Sequence, residues 1–220
     1  MKHIFFSILT ALAFWHCQDA APSPKNILNC YVRFDAAGQK VKAEASLLDA
    51  ASKQAIELPG GIRFQSTEMK VLPVRGITYT VEFPAVYKAE QIFDWKNKKG
   101  ERGELKIAVP VIDSFFFDSK VLSIKNPANL RWIGKPLAKG ETLVFIWENT
   151  EEGKTVPMEV STTLGAPLIE IPAAKVAQIG VGNWSLYLVR KRFAKAETTD
   201  FLVESMAEFY TRPIMVRVEG

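Results

Sequence analysis

The chain has 220 residues, 48 % of them hydrophobic and 24 % charged, with a formal net charge of +4. That length supports one large domain or two of about 100 residues each, with a real hydrophobic core in either case. So small an excess of positive charge, with no dense Lys/Arg block, argues against nucleic acid as a partner.

The chain opens on KHIFFSILTALAFWHC, Lys2 to Cys17. Lys2 supplies a short positive region, and Ile4 to Trp15 is an apolar run broken only by Ser7 and Thr10. A run of about a dozen residues is too short to span a bilayer as a helix, which takes roughly 20, but it matches the apolar part of a secretory signal. A buried amphipathic helix would carry a polar face at period 3.6, and this run has none.

Cys17 follows the apolar run directly and precedes QDAAPSPKN, a polar segment containing proline. The arrangement resembles a bacterial lipoprotein signal, in which the cysteine becomes the first mature residue and carries the lipid. It departs from that pattern at His16 and Trp15, where small residues are the rule. The resemblance implies residues 1–16 as signal peptide, Cys17 as the lipidation site and residues 17–26 as a tether. The protein would then sit anchored to a membrane in the bacterial periplasm or on the cell surface. The alternative is a secreted chain in which Cys17 is a leftover thiol or pairs with Cys30.

The histidines, His3 and His16, both lie within the signal. A mature chain without imidazole has no Ser-His-Asp or Cys-His machinery, no His-based zinc or iron site, and no base poised near neutral pH. No metal or cofactor is expected.

From Ile27 onward the pattern is one of period 2 with frequent turns, which predicts strands. Leu28, Cys30, Val32 and Phe34 alternate with polar residues, as do Val41, Ala43, Ala45 and Leu47. Cys30 therefore points into a core as a small hydrophobe. Short strands follow at 56–58, 62–65 and 69–74, with a cleaner one at 77–83. Strand 91–96 is expected to pair with 104–112 across the basic hairpin tip NKKGERG. DSFFFD, Asp113 to Asp118, reads as a strand buried on both faces or a seam between two halves.

Further strands are expected at 121–125, 130–133, 141–147, 156–163 and 168–171, with the one at 141–147 central. PAAKVAQIG predicts a two-turn helix, with Pro172 in its first turn and Gly180 at its cap. Strand 183–193 places Trp184, Leu186 and Leu188 on one face. Residues 199–210 fit either helix or strand; strand is the preferred reading, continuing to Val218 after a bend at Pro213.

Many short strands with little helix point to an all-β sandwich or barrel. Leu168 to Lys191, LIEIPAAKVAQIGVGNWSLYLVRK, resembles the E strand, helical turn and F strand of an immunoglobulin-like sandwich. The paired cysteines of true immunoglobulin domains have no counterpart here. The expected organisation is one or two immunoglobulin-like units: an N-terminal β domain over 27–112 and a C-terminal sandwich over 113–220.

Chemistry is sparse in this pattern. A glycosidase without histidine needs two carboxylates at a set separation; Asp94, Asp113, Asp118 and Glu148 are the least loop-like choices. Trp95 and Trp132 border turns and are the candidate ligand contacts, as stacking platforms for a sugar. Trp147 and Trp184 lie in apolar strands and belong to the core. Two basic clusters, Lys96/Lys98/Lys99/Arg102 and Arg190/Lys191/Arg192/Lys195, would meet acidic partners or anionic headgroups, or simply guard strand edges. The expected role is non-catalytic binding or scaffolding in the cell envelope, with the membrane contacted through the N-terminal lipid and another envelope protein or a polysaccharide as partner. A carbohydrate-binding module comes second and a carboxylate-pair glycosidase third.

Overall fold

A computed structural model describes residues 25–72, 76–97, 99–149, 151–160 and 166–220. The expected signal peptide, Cys17 and most of the expected tether lie outside the described residues. In chain order the first half contains β1 (Ile27–Asp35), β2 (Lys40–Leu48), β3 (Ala55–Ile56), β4 (Ile62–Phe64), β5 (Thr67–Glu68), β6 (Lys70–Leu72), β7 (Thr78–Pro84), β8 (Glu90–Lys96) and β9 (Arg102–Ala108). The second half contains β10 (Ser114–Phe117), β11 (Val121–Ser123), β12 (Ala128–Ile133), β13 (Glu141–Asn149), β14 (Lys154–Val160) and β15 (Leu168–Ile171). The helix α1 (Ala173–Ile179), then β16 (Gly182–Glu197), β17 (Leu202–Tyr210) and β18 (Ile214–Glu219) complete it.

The fold is all-β. The C-terminal half is an immunoglobulin-like sandwich: β10, β12 and β15 form one sheet in the positions of A, B and E. Strands β13, β16 and β18 form the other as C, F and G, with β14 beside β13 and β11 beside β18. The strand at 141–147 is central as expected, pairing with β14 on one side and β16 on the other. Trp147 and Trp184 are sealed in this core. Trp184 donates from Nε1 to the carbonyl of Gly180 at 3.1 Å. It stands two residues before buried Leu186.

The helix forms where the sequence places it, with Pro172 at its start and Gly180, at φ 95°, ending it. Lys154 of β14 donates to the Ile179 carbonyl at 3.1 Å and lies 5.3 Å from the centre of the Trp184 ring. A cation at the helix C-terminus is favourably placed against the helix dipole.

DSFFFD departs from expectation. Phe115 is buried, Phe116 is 45 % exposed on the outer face, and Phe117 stacks against Trp147. The strand alternates because β10 belongs to a sheet with one face in solvent, so three successive phenylalanines do not all enter the core.

The N-terminal half is also a sandwich. Its smaller sheet, in the order β5-β4-β8-β9, covers the inner face of β1, β2 and β7, with Phe64 and Phe83 meeting between the layers. The hairpin β8–β9 forms as expected, with Lys96 opposite Arg102, though β9 ends at Ala108 rather than continuing to Ile112.

Strand pairing crosses the seam expected between residues 112 and 113. Strand β16 is 16 residues long and rises well beyond its own sandwich. It turns back into β17, and β17 lies parallel to β1 over nine residues, from Ile27–Leu202 to Asp35–Tyr210. The result, among the described residues, is one sheet of eleven strands running through both halves. The tip of the β16–β17 hairpin is plugged into the N-terminal half: Phe201 packs 5.6 Å from Trp95, and Asp200 accepts from Trp95 Nε1 and Asn97 Nδ2.

Candidate functional site

The long sheet has one face in the core and one in solvent, and register decides which side chains share the open face. On β1 the outward positions are Asn29, Tyr31, Arg33 and Asp35; Leu28, Cys30, Val32 and Phe34 point inward. Cross-strand pairing then builds rows. One row is charged: Lys191, Glu208, Arg33, Lys42 and Glu82. The next is centred on apolar and aromatic groups: Phe193, Met206 and Tyr31, followed by Glu44. Beyond it Lys195, Glu204, Asn29 and Ser46 make a third, polar row.

The middle row floors a concavity of about 380 Å³, bordered by Asn29, Glu44, Ser46, Thr78 and Glu204. Phe193 is 57 % exposed at its edge. Phe193, Met206 and Tyr31 thus form an apolar and aromatic centre inside a polar rim.

Glu208 organises the neighbouring row. It accepts from the Tyr31 hydroxyl at 2.6 Å and the Tyr210 hydroxyl at 3.1 Å, and pairs with Lys191 at 3.0 Å. Although ionisable, it is almost fully buried, which is tolerable because its oxygens are satisfied. Tyr210 carries the Arg33 guanidinium over its ring at 5.3 Å and stacks on Tyr187 at 6.0 Å. The Tyr187 hydroxyl donates to Glu148 at 3.4 Å.

Burial, and then Glu208, hold the Tyr31 and Tyr210 phenols above their ordinary range. Burial and Glu148 push Tyr187 up to about 12. These phenols stay protonated at neutral pH and are donors and stacking surfaces, not nucleophiles.

The residues singled out from sequence fare differently. Trp95 and Trp132 are corrected: both are buried, with 2 % and 3 % exposure, and neither offers a ring to a sugar. Trp95 is covered by Phe201 and lies against Gly103. Trp132 faces the core of the small C-terminal sheet and donates to the Lys135 carbonyl at 3.1 Å. Proximity to a turn in sequence exposed neither.

The four carboxylates have separate settings. Asp94 is buried and held by Arg63, with Arg102 at 3.7 Å. Asp118 pairs with Arg131 at 2.8 Å, and Glu148 receives Tyr187. Asp113 lines a different cavity, of about 330 Å³, beside Tyr87 and Arg212.

The basic cluster on β16 is split by the structure. Arg190 is buried, Lys191 pairs with Glu208, and Lys195 pairs with Glu204 at 2.6 Å. Strand alternation sends Arg190 inward and Lys191 and Lys195 to the open face, so the cluster is divided between the two sides of the sheet. In the hairpin cluster, Lys98 lies outside the described residues. Cys30 is in the core as expected, and burial pushes its thiol well up.

The open-face rows were missed from sequence. The β16–β17 hairpin sets Phe193 opposite Met206, and the parallel β1–β17 pairing adds Tyr31 from far away in the chain.

No protein-family model matches the chain, and no curated protein matches it. Among solved structures, murine CEACAM1b aligns over 87 % of this chain and 98 % of its own, at 6 % identity and a TM-score of 0.26. The tandem immunoglobulin repeats of Dlar align over 90 % of this chain and 99 % of theirs, at 9 % identity and a TM-score of 0.28. Fibronectin(III)-like modules of Clostridium thermocellum CbhA align over 82 % and 88 %, at 13 % identity and a TM-score of 0.24.

Proposed function

We propose that the chain is a non-catalytic binding or scaffolding protein of the bacterial envelope, anchored through an acylated Cys17, with the open face of the shared sheet as its recognition surface. Sandwiches of this kind serve many roles, so the site must carry the argument rather than the fold. The observation that carries it is the Phe193–Met206–Tyr31 row, an apolar strip between two polar rows in a shallow concavity. The partner this surface suits is a protein that inserts an apolar side chain beside Phe193 and meets the charged rows at its rim. A second envelope protein fits that chemistry better than a polysaccharide, because the two indoles expected to stack on a sugar are buried.

The test is photo-crosslinking in cells, with a photoreactive residue at position 193 or, as control, at exposed Glu170 on the small sheet. An adduct of defined mass from position 193 and none from position 170 is expected. No adduct, or equal adducts from both, rejects this face as the binding surface. Mass spectrometry of the native N-terminus tests the anchor separately: a diacyl- or triacyl-glyceryl Cys17 is expected, and an unmodified terminus elsewhere rejects it.

A further inference from the structure

The way β1 enters the sheet points to a mechanical role. We propose that the β1–β17 pairing is a mechanical clamp that resists tension arriving along the chain from its N-terminal side. The physiological source of that tension rests on the anchoring proposed above. The clamp itself is a property of the strand geometry.

Tension arriving along the chain from the proposed anchor enters the described residues at Lys25 and Asn26. The chain is pinned there. Lys25 Nζ donates to the Thr198 carbonyl at 2.9 Å and pairs with Glu197 at 2.8 Å. Leu202 donates to the Asn26 carbonyl at 3.0 Å, and Ala50 donates to Asn26 Oδ1 at 2.9 Å. Tension then passes into β1, which is an interior strand. It has β2 on one side and β17 on the other, each paired over nine residues.

Direction decides how those pairs respond. β1 and β17 are parallel, so Ile27 and Leu202 share one end and Asp35 and Tyr210 the other. β18 follows β17 in the same sense, since β16 runs antiparallel to both. A pull on residue 25, opposed at the bend between β17 and β18, therefore draws β1 and β17 past each other along their axes. Hydrogen bonds between parallel strands are evenly spaced, so they share this load and must fail together. A pull across the same pair at one end would break them one at a time. The 16-residue β16 also sets the span: roughly 50 Å of strand separates the tether end from the far end of the sheet.

The experiment is single-molecule pulling on the chain from residue 18 onward. In the shear arrangement one handle is attached ahead of Lys25 and the other at Pro213→Cys, in the exposed bend. In the peeling arrangement the handles are at Ala37→Cys and Pro213→Cys, both at the Asp35–Tyr210 end. Cys30 is sealed in the core and takes no handle while the protein is folded. Shear is expected to need a several-fold higher unfolding force than peeling at the same loading rate. Equal forces, or a lower force in shear, overturn the clamp, provided that both handle variants keep the native tryptophan emission. The two proposals fail separately: an unacylated native N-terminus removes the anchor and leaves the force difference intact, while equal forces remove the clamp and leave an acylated Cys17 untouched.

Discussion

Glu141 and Arg190 meet at 2.5 Å with both side chains shut away from water. Arg190 also donates to the carbonyls of Val111, Lys135 and Pro136, at 3.0, 2.8 and 2.8 Å. One guanidinium thus ties together the end of the first half, the turn before β13 and the start of β13 itself. Removing one member of a buried pair leaves the other charge uncompensated, which typically costs about 3–5 kcal/mol. Arg190→Met and Glu141→Leu are each expected to lower stability by about that much in urea denaturation. The double variant is expected to lose clearly less than the sum of the two, because the stranded charge is gone.

Gly103 is required by a close approach and not by its backbone angle. A Cβ placed there would stand 2.4 Å from the Trp95 indole. Gly103→Ala forces the ring toward Phe201 or the hairpin apart, and overpacking of this kind costs about 1–3 kcal/mol. A lower thermal midpoint and a red-shifted tryptophan emission are the expected readouts. An unchanged midpoint would place the indole elsewhere.

The tyrosine cluster makes alkaline stability predictable in sign. Tyr187, near 12 in the folded protein, binds its proton more tightly there than in the unfolded chain, where phenols titrate near 10. Its contribution is fully present below about pH 10 and is lost as pH rises toward 12. Stability should fall across that window. Tyr187→Phe should flatten the fall, and absorbance at the phenolate band should show Tyr187 ionising late.

The first half depends on a strand it does not encode. Without β17, a fragment of residues 27–112 leaves the parallel edge of β1 unpaired along nine residues and uncovers Trp95 where Phe201 sits. Such an edge also invites aggregation. The fragment is expected to be unfolded or associated by circular dichroism and sedimentation, whereas the whole chain should unfold in one transition. A monomeric, folded fragment would contradict this.

Cys30 offers a probe of opening. Its thiol is buried and raised well above the usual range, so the thiolate needed for alkylation is absent in the folded state. Iodoacetamide should leave Cys30 unmodified at neutral pH and label it fully in denaturant. Rapid native labelling would mean that β1 is not held as described.

Much of the architecture is legible in the sequence because alternation reports which face of a strand is wet. The residues Leu28 to Phe34, Trp184 to Leu188 and the Pro172–Gly180 helix all fall where their pattern places them. What escapes is what depends on distant pairing. Trp95 sits beside a polar hairpin tip in sequence, yet the residues that cover it come from a tip 105 positions later. Arg190 sits in a basic string but points inward, and the string gives no sign of the carbonyls that await it. The open-face rows exist only once β1 lies parallel to β17, and no local periodicity specifies a parallel partner across 175 residues.

The β16–β17 hairpin changes how this sandwich is free to evolve. In antibody variable domains the loop between F and G is one of those that vary to meet new ligands. Here that loop is spent on the protein's own first half, where Asp200 and Phe201 engage Trp95 and Asn97. A change at the loop would be felt as lost folding rather than altered taste. Diversity among relatives of this chain should therefore accumulate on the open sheet face and at the opposite end of the second sandwich, with the hairpin tip held constant.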